Sequence, residues 1–438
     1  MKQFFCSRWR SVRLASLFHE NTVKNEDFLL SNALQFRYGS IVQKKKFDLT
    51  SDLIETYKKY TLIQPGDIMI NGLNLNYDFI TQRVALVPST GIITSAYICL
   101  RPRNSVNYRF YTYYLKALDA LKVFNGLGTG IRLTLSYDSI KNMVLPLPPR
   151  EEQDQIVRYL DWQVSKINRL IAAKRKEIAL LHEQHKRRIS EAVLHGNDDG
   201  CCQKDSGVEW IGMIPEHWSV IRCKYVFTER DERSIAGEEE HLSMSQKYGL
   251  VPDSKLDERR MLSESYVGGK VCYKNDLVLN RLKAHLGVFA LSPQKGVISP
   301  DYTVLIPNAE RILPTYGEAV LKNDLCRREL RIRVRGIIEG FWRLYTDDFN
   351  TIVIPLPPLK EQEQIMKHLS ALNNKFTALK QRLEQEINIL HELRTRLISD
   401  VVTGQVDVRG IKVPDDEYIN NEITEEEFEE ESENNEEE

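Results

Sequence analysis

Pro146-Leu147-Pro148-Pro149-Arg150-Glu151-Glu152-Gln153-Asp154-Gln155-Ile156 returns 209 residues later as Pro355-Leu356-Pro357-Pro358-Leu359-Lys360-Glu361-Gln362-Glu363-Gln364-Ile365. Each copy puts proline at or before a first helical turn, where its missing N–H leaves no bond unmade, and acids where the helix dipole favours negative charge. No Pro or Gly follows Pro149 until Gly196, so the first helix is expected to run about 45 residues, roughly 70 Å at 1.5 Å per residue. The match continues without a gap. Glu177, Ile178, Leu181, His182, Glu183, Arg187, Ile189, Ser190 and Val193 reappear as Glu386, Ile387, Leu390, His391, Glu392, Arg396, Ile398, Ser399 and Val402, and Gly404 marks the expected end of the second helix.

The segments before the helices share the offset. Trp9-Arg10-Ser11-Val12-Arg13 aligns with Trp218-Ser219-Val220-Ile221-Arg222, and Pro65-Gly66-Asp67 with Lys274-Asn275-Asp276. Solenoid repeats have periods of about 20 to 50 residues, so this is an internal duplication of a larger plan: domain, helix, domain, helix, tail. Between the anchors the two halves diverge widely, as a shared frame reading two different things would.

Val157, Leu160, Val164, Ile167, Ile171, Ile178 and Leu181 follow the alternating three and four spacing of a coiled-coil seam. Met366, Leu369, Phe376, Leu383, Ile387, Leu390 and Leu397 take the same phase in the second helix. Each stripe needs a partner, and the other copy is the nearest candidate. Polar residues interrupt the seam at Lys174, Asn373, Lys380 and Arg394. Such breaks either fix register between two helices or face solvent where the helices diverge.

Each globular domain reads as mixed α/β. Thr61-Leu62-Ile63, Asp67 to Ile70, Arg83 to Val87, Leu277 to Leu279 and Tyr302 to Ile306 are short β-rich stretches bounded by turn formers, and helices are expected over Tyr108 to Phe124 and Thr315 to Arg331. Loops beside them carry clustered basic and amide side chains: Lys44, Lys45 and Lys46; Arg101, Arg103 and Asn104; Asn280, Arg281 and Lys283; Arg331, Arg333 and Arg335. These are the side chains that reach base edges and phosphates on DNA. Any one of them is also an ordinary solvated charge; the clustering in both domains favours the binding role.

The net charge of -2 conceals a division. Residues 414–438 carry 14 Asp or Glu and no Lys or Arg, which leaves 60 bases against 48 acids in the rest of the chain. A basic body suits a polyanionic partner, and a tail such as Glu425-Glu426-Glu427-Phe428-Glu429 is too charged to bury a core. No apolar run of about 18 residues is present to span a membrane. The seven cysteines include no C-x-x-C and suit a reducing cytoplasm.

Catalytic patterns are missing. There is no phosphate-binding loop of the G-x-x-x-x-G-K-[ST] type, no G-x-S-x-G elbow and no H-E-x-x-H, and Gly126-Leu127-Gly128-Thr129-Gly130 lacks dinucleotide spacing and reads as a turn. His182 and His391 occupy equivalent helix positions with no further ligands in the sequence, so they read as polar interface residues. No metal site and no cofactor is expected.

The duplicated P-L-P-P-x-x-E-Q-x-Q-I, with Gly207-Val208-Glu209-Trp210-Ile211-Gly212-Met213-Ile214-Pro215-Glu216-His217-Trp218 opening the second domain, resembles the specificity subunit of type I restriction-modification enzymes over residues 1 to 405. The resemblance implies an α+β fold: two mixed α/β target recognition domains (1–145 and 197–354) separated by two long spacer helices (146–196 and 355–405) packed as an antiparallel coiled coil. The internal repeat would be pseudo-two-fold; residues 406–438, read from composition alone, are expected to be an acidic disordered tail. It implies a non-catalytic chain in which each domain reads half of a bipartite target in double-stranded DNA. Partner chains would be two methyltransferase (modification) subunits along the helices and a restriction (motor-nuclease) subunit. A helical scaffold that binds only proteins would explain the coiled coil but not two divergent basic domains. Two departures stand out: the first domain begins almost directly at Trp9 without the lead that precedes Trp218, and the acidic tail is foreign to the family pattern.

Overall fold

A computed structural model describes residues 8–37, 39–44, 49–75, 82–103, 106–128, 133–197, 200–245, 248–255, 266–336 and 342–414. The chain divides into two compact units, one formed by residues 1–174 and 384–429, the other by 175–383 and 430–438. Two long helices, Arg150–His195 and Leu359–Val402, run through this division, so each unit owns part of both.

In unit 1 an antiparallel sheet has the strand order Phe18–Glu20, Ile98–Pro102, Ile68–Ile70, Val84–Leu86. Unit 2 repeats that order with Phe227–Arg230, Tyr302–Pro307, Leu277–Asn280 and Phe289–Leu291. Side chains alternate across a strand, and both faces of each sheet are covered. Ile68, Ile70, Val84 and Leu100 join the core under helix Tyr108–Ala120, whereas Met69, Ala85 and Cys99 join Ile41, Ile63 and Ile93 on the other side. Unit 2 does the same: Leu277, Leu279, Phe289 and Leu305 face one core, and Val278, Ala290 and Val304 face another.

The repeated proline motif works residue by residue. Among the described residues Val144–Leu147 pairs only with Arg10–Arg13, and Val353–Leu356 only with Ser219–Arg222, so a proline within each pair removes no second ladder bond there. Tyr111 donates its hydroxyl to the Pro146 carbonyl at 2.9 Å, and Tyr316 to that of Pro355 at 3.4 Å. The motif glutamine then reaches back: Gln153 Nε2 donates to Pro148 O at 2.8 Å and Gln362 Nε2 to Pro357 O at 2.9 Å. Each clasp satisfies a carbonyl just outside the helix and fixes the angle at which the helix leaves its domain.

Both cores draw on both long helices. Ile156, Val157 and Leu160 from the first helix and Ile398, Val401 and Val402 from the second share the main core of unit 1. Ala192, Val193 and Leu194 share that of unit 2 with Ile365 and Leu369. Val157, Leu160, Ile167, Ile171, Leu369, Leu383 and Ile387 are buried, while Val164, Ile178, Leu181, Met366, Phe376, Leu390 and Leu397 are half-buried.

Among the polar seam residues Lys174 and Arg394 are half-buried and Asn373 is exposed, and each of the three has a partner on the other helix. Lys174 Nζ lies 2.9 Å from Glu386 Oε2 and Arg394 Nη1 donates to Asn168 Oδ1 at 2.8 Å in unit 1; in unit 2 Asn373 Oδ1 is 2.9 Å from His185 Nε2. His182 packs its ring edge on Phe376, and burial beside Lys186 and Lys380 pushes its pKa down, favouring the neutral imidazole. His391 sits 3.2 Å from Arg394 Nη2.

Two expected helices differ from those observed. The stretch Thr315 to Arg331 is two helices, Pro314–Lys322 and Asp324–Arg333, because Asn323 takes an extended ψ of 136° and caps the second, accepting from Leu325 N at 2.9 Å. The helix from Tyr108 stops at Ala120, and Lys122 turns left-handed at φ 58° before a short 3-10 turn, Phe124–Leu127. That turn begins the glycine-rich stretch; Thr129 and Gly130 lie outside the described residues. Among the described residues no helix is long and apolar enough to cross a membrane.

Candidate nucleic-acid interface

In unit 1, Lys44 follows strand Ser40–Gln43, half-buried, with its backbone N–H donated to Ala33 O at 2.9 Å. Lys45, Lys46 and Asn104 lie outside the described residues. Arg101 is turned inward: Nε and Nη2 donate to the two carboxylate oxygens of buried Asp67 at 2.9 and 2.7 Å. Asp67 also accepts from Gln64 N at 3.0 Å, closing the turn before its strand. Its repeat mate Asp276 does the same work, accepting from Tyr273 N at 2.8 Å and from Arg230 Nε at 2.9 Å. Arg101 is thus a structural clamp rather than an open contact. Arg103 is exposed, and its side-chain Nε donates to Ala15 O at 3.2 Å.

Unit 2 brings its basic residues together. Strand Leu277–Asn280 ends in a turn that Asn280 holds by accepting from Leu282 N at 3.1 Å. Arg281 follows, its Nε on Thr303 Oγ1 at 2.7 Å and its backbone carbonyl accepting from Leu344 N at 3.0 Å. Arg335 and Arg343 exchange both backbone hydrogen bonds, at 2.9 and 2.8 Å, so the Arg335 and Arg343 segments stand beside the Arg281 turn. Lys283 and Arg331 are exposed. Arg333 is committed to Glu329 at 2.5 Å and to Thr351 at 3.2 Å. Arg335 touches Asp348, yet 69% of its side chain remains exposed, and a guanidinium with five N–H donors can hold one carboxylate while offering the rest.

The structure therefore separates the sequence candidates. Arg101, Arg281 and Arg333 are anchored to acceptors within their own domain; Arg103, Lys283, Arg331 and Arg335 present charge outward. Arg343, half-exposed and 4.0 Å from Asp301, joins the unit 2 cluster although the sequence reading passed over it. Asp67 and Asp276 were also passed over as partners. Their shared place in the repeat was the available signal, since an aspartate kept at one position in two divergent halves has a structural duty.

Comparison with known proteins extends this picture. The sequence matches the family described as the type I restriction modification DNA specificity domain over residues 7–180 and 236–388. It is 23% identical to the type I restriction enzyme MjaVIII specificity subunit of Methanocaldococcus jannaschii, covering 92% of this chain and 94% of that one. It is 21% identical to the type I restriction enzyme EcoKI specificity subunit of Escherichia coli K12, over 90% of this chain and 87% of that one. A chain solved in work on complex assembly and conformational transition of the type I R-M system shares the fold, with TM-score 0.63 at 16% identity over 92% of this chain and 99% of that one. With the match extending over both halves of the repeat, this chain belongs to the type I restriction-modification DNA specificity family.

Proposed function

We propose that residues 1–145 and 197–354 are two target recognition domains, each reading one half of a bipartite site in double-stranded DNA, with 146–196 and 355–405 as spacer helices. Those helices pack as an antiparallel coiled coil within a pseudo-two-fold repeat. The pairs Asn168 with Arg394, Lys174 with Glu386 and His185 with Asn373 support this, because numbers rise along one helix as they fall along the other. The observation that carries the reading is the repeated clasp of Gln153 and Gln362, one frame built twice beneath basic loops that differ. Arg103 and Lys44 in the first domain, and Lys283, Arg331, Arg335 and Arg343 in the second, supply phosphate and base contacts.

Methyl transfer, ATP hydrolysis and cleavage then belong to partner chains: two methyltransferase subunits and a restriction motor-nuclease subunit, assembled in the cytoplasm. A cleft of about 910 Å³ in unit 2, where Ile189, Met366 and Leu369 of the long helices meet Ala319 and Leu325, supports a protein partner at the helices. The test is selection from a random duplex pool by this chain with its methyltransferase. Enrichment of two half-sites at one fixed spacing is expected; no enrichment would overturn the reading in favour of a protein-only scaffold.

A further inference from the structure

One position of the repeat carries different chemistry in its two copies. In unit 1, Arg8 Nη2 lies 2.7 Å from Glu152 Oε1 beside Trp9. At the equivalent place in unit 2, His217 Nε2 lies 2.7 Å from Glu361 Oε2 beside Trp218. An arginine there can only donate, whereas an imidazole whose Nε2–H is donated to a carboxylate leaves Nδ1 as an acceptor. That nitrogen faces a thiol: Cys201 Sγ is 3.8 Å from His217 Nδ1 and 3.5 Å from the Cys202 carbonyl, which competes for the same proton. The Cys201 segment is fixed, since Glu216 N donates to Cys202 O at 2.8 Å.

The other described cysteines set the contrast. Cys99, Cys223, Cys272 and Cys326 are buried, and burial pushes their thiols up, Cys99 to about 12. Cys202 is the more exposed of the adjacent pair, but no imidazole stands at its sulfur among the described residues. Among those residues no three His, Cys, Asp or Glu groups are placed to hold a metal, which leaves thiol chemistry.

We propose that Cys201 is a modifiable nucleophilic thiol that takes small disulfides, with His217 as its base and Glu361 as the residue that positions the base. His217 Nδ1 accepts the Cys201 S–H proton, and the thiolate attacks one sulfur of the disulfide. A mixed disulfide forms between Cys201 Sγ and that sulfur as the small disulfide's own S–S bond breaks, and the departing thiolate takes the proton from the imidazolium. Cys201 is oxidised as the small disulfide is cleaved to one free thiol. The added group sits on the contact that ties the 200–217 segment to the first turn of the second long helix.

The two neighbouring cysteines make the test internal. The full chain is reacted with a dipyridyl disulfide as Cys202→Ser, leaving Cys201, and as Cys201→Ser, leaving Cys202, with the release of thione timed and the labelled peptide identified by mass. Exposure alone favours Cys202. The geometry predicts instead that Cys201 reacts about tenfold faster near neutral pH. His217→Asn should abolish that advantage without slowing Cys202, and Glu361→Gln should weaken it while moving the pH profile of the Cys201 rate. Equal or faster labelling of Cys202, or an advantage of Cys201 that survives in both variants, overturns the proposal.

Discussion

Asp67 is buried, and its carboxylate is matched by Arg101 through two short hydrogen bonds, with a quarter of the arginine side chain still in water. Truncating Arg101 to alanine leaves a carboxylate without its main counter-charge. The expected loss is about 2–3 kcal/mol of unit 1 stability, below the range for fully buried pairs because of that exposure. Thermal unfolding should show the loss, and an Arg101→Ala chain as stable as the parent would mean the clamp is dispensable. Arg331→Ala is the counterpart. Removing an exposed cation from the unit 2 cluster should leave stability within about 0.5 kcal/mol and reduce the salt slope of DNA binding by roughly one counterion. A binding titration at several salt concentrations checks it, an unchanged slope removing Arg331 from the interface. The sequence displays both arginines as loop cations of one kind. What distinguishes them is an aspartate 34 residues from Arg101 that the fold carries to it, a proximity no local pattern encodes.

At the scale of elements, the long helices were legible because their signals are local: proline before, no breaker within, glycine after, and an apolar stripe at helical spacing. The break at Asn323 was equally local, an Asn-Asp cap signal inside an apparent helix, and was missed because the apolar pattern continues across it. The pairing of polar seam residues was left open by the sequence, since the same lysine serves a solvated face or an inter-helix contact. Replacing Lys174 and Glu386 together by leucine should raise stability by about 1 kcal/mol or more while loosening register, as exchange of paired charges for apolar packing commonly does. A lower unfolding midpoint for the double variant would refute this. Asp161 gives the pH test. Burial raises its pKa above the ordinary 3.8, although Arg109 and the Tyr113 hydroxyl stabilise the anion. The folded state then holds this proton more tightly than the unfolded one, so stability falls as pH rises from that ordinary value through the folded pKa. Asp161→Asn keeps an acceptor for Tyr113 and should flatten that fall, as denaturant midpoints across pH would record.

For the whole molecule, the proposed ruler is the helix pair. Four residues inserted after Lys176 add about 6 Å and advance the helix by about 40°, against roughly 3.4 Å for each base pair. Methylation mapping of such a variant should return the same two half-sites separated by one or two more base pairs. An active variant with the parent spacing would assign the ruler to another contact. All of the acidic run 414–438 except Pro414 lies outside the described residues, and its prediction rests on charge alone. Deleting it should tighten non-specific DNA binding at low salt, where screening is weak, and a salt titration with identical curves would discard the idea.

Ile398, Val401, Val402 and Val408 belong to the core of the unit that starts at the other end of the sequence, and Gln155 closes on the carbonyls of Val408 and Ile411. Synthesis therefore meets the two cores in an order unlike their order in the gene. The 175–383 segment, which holds every described residue of the later unit, has left the ribosome while the segment before it still waits, its apolar surface uncovered, for the last stretch of translation. A stop codon near residue 384 would spare the later unit and strand the earlier one. Chaperone demand should concentrate in that interval, and nascent chains arrested there should be cut by protease in residues 8–174 before 200–383.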